Sequence, residues 1–137
     1  MRLINVMDEL GAALGAIPDL RVKPYTEKRV NPPQAVVALP RRYSYDSTMG
    51  RGSDDIELSI VVFVGVSDAE SSRNAIGDYV DGAGNKSVKK AIEAHVPAGD
   101  AYDVAHVMAA EFLIMSVAGV EYQTATFRVR VVGKGII

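Results

Sequence analysis

The chain contains no cysteine and no tryptophan, and it has only two histidines, His95 and His106. Without cysteine it has neither disulfides nor thiolate metal sites, so cysteine usage says nothing about its redox compartment. Charge of one sign is also missing. Fifteen Lys and Arg against seventeen Asp and Glu give a net charge of -2, which argues against a bulk polyanion as partner. No apolar run approaches the roughly 18 residues of a membrane span, and the N-terminus lacks the basic flank and apolar stretch of a signal peptide. The expectation is a protein made in the cytoplasm, with no membrane partner. At 137 residues the chain suits one domain, able to bury about 68% of its unfolded surface.

The chain does contain one dominant apolar strand, residues 56–66, in which Ile56, Leu58, Ile60, Val62, Val64 and Val66 occupy every second position. Alternate side chains of a strand point to opposite faces, so one face is apolar from end to end. The other face changes along its length, with Glu57 and Ser59 followed by Val61 and Phe63. A polar run over 41–55 precedes the strand. Compact domains rarely carry a structureless connection beyond about 12–15 residues unless it is functional or disordered.

The other elements follow in chain order. Leu3, Val6, Met7, Leu10, Ala13, Leu14 and Ile17 recur at helical spacing, and Gly15 and Pro18 end that helix. Residues 20–23 suit a short edge strand, 25–33 a loop, and 34–39 a strand bracketed by Pro33 and Pro40. Leu39 and Ile56 then flank a hairpin with a long connection. Ser67-Asp68-Ala69-Glu70 has the spacing of a capping box, so a helix starts there with Ile76, Tyr79 and Val80 inward. A second short helix spans 86–95. Residues 102–108 fit either a strand or a helical turn. Residues 111–118 are apolar on both faces, as in a strand covered on both sides, and Gly119 marks a bend or bulge. Residues 124–132 alternate, with Ala125, Phe127, Val129 and Val131 inward and Thr126, Arg128 and Arg130 outward. This order indicates an α+β fold: a mixed, mainly antiparallel sheet with helices on one face and a long hairpin loop at about 41–55.

No catalytic motif survives scrutiny, and the chain reads as a non-enzyme without cofactor or metal. Gly82-Ala83-Gly84-Asn85-Lys86-Ser87 lacks the glycine directly before Lys-Ser that a phosphate-binding loop needs, and a helix precedes it, so it reads as a link between helices. His95 falls at a helix C-terminus, where the dipole accounts for it. His106 lies near Asp103 and suits a structural hydrogen bond better than an acid–base pair. Asp54 and Asp55 are adjacent and point opposite ways in a strand, so solvated charge is their default reading. Arg41, Arg42, Tyr43 and Tyr45 form the one basic–aromatic cluster, and Asp46, Asp54 and Asp55 around it prevent a basic patch. Tyr, Met and Arg are enriched at protein interfaces, which favours a protein partner over nucleic acid.

The whole pattern resembles the tail terminator (tail-completion, minor tail) proteins of long-tailed bacteriophages, of the lambda type. The likeness runs through the N-terminal helix ending Leu14-Gly15-Ala16-Ile17-Pro18, the strand Ala35-Val36-Val37-Ala38-Leu39 and the loop with Tyr43, Asp46 and Gly52. It continues through the strand 56–66 ending at Ser67-Asp68, the helix pair and the C-terminal Val120-Glu121-Tyr122-Gln123-Thr124-Ala125-Thr126-Phe127-Arg128-Val129. The resemblance implies a structural virion protein at the head-proximal end of the tail. Six copies would form a ring that caps the tail tube, stops its polymerisation and offers a surface to the head. The implied partners are the chain itself, the tail-tube protein and a head-completion or neck protein, with DNA met only non-specifically in the lumen. Contact residues expected on this reading are Arg42, Tyr43, Tyr45, Asp46, Met49, Arg51, Asp54 and Asp55 in the loop, and Val61, Phe63, Arg128 and Arg130 on the sheet. A head-closure or neck connector protein of the same virion, a small-ligand-binding α+β domain, and a nucleic-acid module are the alternatives.

Overall fold

The structure, a computed structural model, describes residues 1–23, 29–45, 52–65 and 69–135. The element order is α1 (Leu3–Leu14), β1 (Arg21–Lys23), β2 (Gln34–Val37), β3 (Arg42–Ser44), β4 (Ser53–Gly65), α2 (Ala69–Val80), α3 (Val88–Ala94), β5 (Val104–Val117) and β6 (Val120–Lys134). The strands form one sheet in the order β1-β2-β4-β6-β5, with β3 also paired to β4. All pairings are antiparallel except β1 with β2. The fold is α+β, as the order of helical and strand patterns indicates.

The central strand occupies the place its sequence suggests. Ile56, Leu58, Ile60, Val62 and Val64 are buried on one face, together with Ala125, Phe127, Val129 and Val131 of β6 and Ala35 and Val37 of β2. The helices cover this face: Val6, Leu10 and Leu14 of α1, Ile76 and Tyr79 of α2, and Val88 and Ile92 of α3 join the same cluster. Each helix buries one stripe, the arrangement that amphipathic periodicity demands. Ser87 caps α3 by accepting from the Lys90 amide at 3.1 Å, and its hydroxyl donates to the Asp81 carbonyl. The Gly-rich run thus joins two helices. Ser67 of the capping-box spacing lies outside the described residues.

Several expectations change. The polar connection is shorter than 41–55, because Arg42, Tyr43 and Ser44 pair with Glu57, Ile56 and Asp55, and β4 begins at Ser53. Asp54 and Asp55 are therefore strand residues. The C-terminal part is a two-stranded hairpin, since residues 102–108 and 111–118 belong largely to one long strand, β5. Its turn is Ala118-Gly119, with φ of 52° and 81°. Positive φ at both positions is what a tight hairpin turn with the sheet's own twist requires. The irregularity in the pairing lies instead between Val107 and Ala109. The strand 111–118 is not covered on both sides: β5 is the sheet edge, and Phe112, Leu113 and Ile114 are 54%, 49% and 57% exposed.

Candidate functional site: a bare sheet edge and a polar sheet face

The face of the sheet away from the helices carries the outward residues of β4 and β6. Arg128 Nη2 donates to Glu57 Oε1 at 2.7 Å, and Arg130 donates through Nε and Nη2 to Asp55 Oδ2 at 2.9 and 2.6 Å. Both pairs are diagonal across the β4–β6 ladder, because Arg128 faces Ser59, Arg130 faces Glu57 and Val132 faces Asp55. The Arg128 hydrogen bond holds the Glu57 carboxyl below its usual range, and the Asp55 hydrogen bond raises the Arg130 guanidinium. The outward placement of Arg128 and Arg130 is as expected. Both are engaged within the chain.

Towards the other end of this face the polar residues give way to a second, smaller apolar cluster. Val36, Phe63 and Tyr122 are buried there, with Val30, Val61, Met115 and Val117 packed against them. The Phe63 and Tyr122 rings meet edge to face at 5.9 Å. Phe63 is only 6% exposed, so it is not the free contact residue that the changing pattern of β4 suggests. Tyr122 and Val36, brought in from two neighbouring strands, cover it. Val61 is partly buried in the same cluster.

At the loop-bearing end of the sheet, Tyr43 donates from its hydroxyl to Asp54 Oδ2 at 3.0 Å and lies 3.1 Å from the Met1 carbonyl oxygen. Burial first, then the Asp54 carboxylate, pushes the Tyr43 phenol up to about 12. Tyr45 stacks on it with ring centroids 4.6 Å apart and is itself exposed. Arg42 is exposed beside them. Asp54 points inward and Asp55 outward, so the two carboxylates do not converge. Asp46, Met49 and Arg51 lie outside the described residues.

Neither histidine has the partner its sequence neighbourhood suggests. His95 is the C-cap of α3, at the helix C-terminus as expected, and its Nε2 lies 2.8 Å from Glu9 Oε2, a hydrogen-bonded link to α1 across 86 residues of sequence. That hydrogen bond pulls the Glu9 carboxyl down. His106 Nδ1 lies 3.6 Å from Glu93 Oε2 rather than pairing with Asp103. Glu93 also holds Lys89 and accepts the Val107 amide at 3.3 Å. These contacts tie α3 to the N-terminal half of β5. Among the described residues no group of three or more His, Asp or Glu is arranged to hold a metal ion, and no helix is long and apolar enough to cross a membrane.

The feature that sequence reasoning missed is the edge itself. β5 runs for 14 residues and, among the described residues, pairs only with β6. Its inner-face side chains Phe112 and Ile114 do not reach the core. They form one wall of a groove of about 550 Å³, whose opposite wall is α2 through Ser72, Ile76, Gly77 and Val80. A long, flat, apolar edge is a template for another chain, and soluble proteins usually blunt such edges. On β5 the blunting is confined to one half, where Glu93 takes the Val107 amide and the pairing is irregular. The hint in the sequence was Phe112-Leu113-Ile114, apolar on both faces, but periodicity alone cannot separate a doubly covered strand from a bare one. This chain matches no protein-family model and no curated protein sequence.

Proposed function

We propose that this protein is a structural, non-enzymatic subunit of a bacteriophage virion: a tail terminator that assembles as a ring on the tail tube, stops its polymerisation and presents the surface to which the head attaches. The single observation that carries the reading is the C-terminal half of β5, where Phe112, Leu113 and Ile114 stand half exposed along an unpaired strand edge. Contiguous apolar surface of this kind on a small soluble domain marks an interaction site. The position of the surface at one edge of an asymmetric sheet suits head-to-tail contacts, which close into rings. The sequence resemblance supplies the identity of the assembly. The ion-paired face carrying Arg128 and Arg130 and the corner carrying Arg42 and Tyr45 offer further surfaces for the tube and the neck.

Phe112→Lys tests the reading. Because Phe112 is outside the core, the variant keeps the wild-type melting temperature within a few degrees, whereas a charge in the centre of a desolvated contact abolishes ring assembly on purified tail tubes. A variant that still caps tubes would remove β5 from the account.

A further inference from the structure

We infer that the occupant of the bare β5 edge is the β1 edge of a second copy of this chain, added antiparallel and in register, with Val22 of one copy beside Phe112 of the next. The inference rests on the ring reading above and names its subunit contact.

The sheet register carries the argument. At one level across the whole sheet the residues run Val22, Ala35, Val62, Ala125, Phe112 on the helix-covered face. One step to either side, on the open face, the rows run Lys23, Val36, Val61, Thr126, Glu111 and Arg21, Gln34, Phe63, Thr124, Leu113. The two ends of these rows are the two edges of the sheet. Following the pairings from β1 through β2, β4 and β6 makes β5 antiparallel to β1. A neighbour that extends the sheet at the same level therefore lays its β1 antiparallel to β5. Ring closure makes all contacts identical and leaves the stagger between neighbouring strands open, so the same-level register is chosen for the residues it brings together. That register puts Lys23 directly opposite Glu111, Val22 opposite Phe112, and Arg21 opposite Leu113.

The chemistry of the two edges matches at this register. Basic residues flank the apolar centre of β1, and β5 offers Glu111 beside Phe112 and Leu113. Opposite charges directly across an antiparallel pair are favourable, and an aromatic beside a β-branched residue is among the better cross-strand pairs. Val22 would also extend the wall of the groove between β5 and α2.

The absence of native cysteine makes the contact directly testable. In the full chain at its highest soluble concentration, Arg21→Cys with Leu113→Cys is expected to cross-link into a ladder of dimers, trimers and higher species under a short bifunctional maleimide, while each single variant stays monomeric. Thermal melts confirm that the variants are folded. In sedimentation equilibrium, Glu111→Lys should weaken association about fivefold, and adding Lys23→Glu should restore it. A monomer-only result in the double-cysteine variant, dimers from Leu113→Cys alone, or no rescue by Lys23→Glu would each overturn the proposed contact. The tail-terminator reading fails separately, on tail length in virions lacking the protein, whether or not the ladder forms.

Discussion

Tyr43 reaches from the three-residue strand β3 to the buried carboxylate of Asp54, and Tyr45 leans on its ring. Its hydroxyl does two things: it supplies a donor to a charged acceptor that is 4% exposed, and it fixes the corner from which the polar loop departs. Tyr43→Phe is expected to destabilise the fold by about 1–3 kcal/mol at neutral pH, as measured by urea unfolding. The sign of the pH dependence follows from the raised phenol. The folded state holds the proton longer than the unfolded chain, whose tyrosine titrates near 10, so the contribution is fully present below about pH 10. It is lost as pH rises through the folded value of about 12. Wild type and Tyr43→Phe should therefore converge in stability across that window. The exposed pairs Arg128–Glu57 and Arg130–Asp55 stand in contrast, because solvent screens them and they set surface pattern more than stability.

At the scale of elements, what could be read from sequence was whatever depended on local period. The α1 stripe and the alternation of β4 and of residues 124–132 appear where the pattern places them, and the proline-bracketed strand expected over 34–39 forms over Gln34–Val37. What could not be read depended on partners distant in sequence. Phe63 looks outward by its neighbours, yet it is covered by Tyr122 and Val36 from other strands. Phe112 to Ile114 look like core by composition and are left bare because β5 ends the sheet. His95 finds Glu9 on a helix 86 positions away. Among the expected contact residues, Tyr43 and Asp54 come together, Arg130 and Asp55 come together, and Phe63 drops out as a free contact. Residues 46–51 lie outside the described residues, and Tyr43 is placed just before that connection leaves β3. Deleting residues 45–52 should leave the circular-dichroism spectrum and cooperative melt intact, since both flanking strands are held by the β4 ladder. Docking of the protein on tail tubes should fail. Normal docking of the deletion variant would reduce the loop to a connector and leave β5 as the sole contact element.

At the scale of the whole molecule, the sheet is unequal at its two edges. One carries the short strands β1 and β3, and the other carries fourteen residues of β5. An asymmetric domain of this kind has a front and a back in the plane of the sheet, which is the geometry a head-to-tail ring needs. Its own core, continuous from α1 through β4 and β6 to α2 and α3, is large enough for the subunit to fold before it assembles. The dilute protein is therefore expected to be monomeric or weakly associated, with the ring completed on the tail tube. The most direct measurement is the length distribution of tails, by electron microscopy, in infections lacking this protein. If the protein terminates the tail, tubes run past the wild-type length and carry no heads. Tails of normal length, joined to heads, would contradict it.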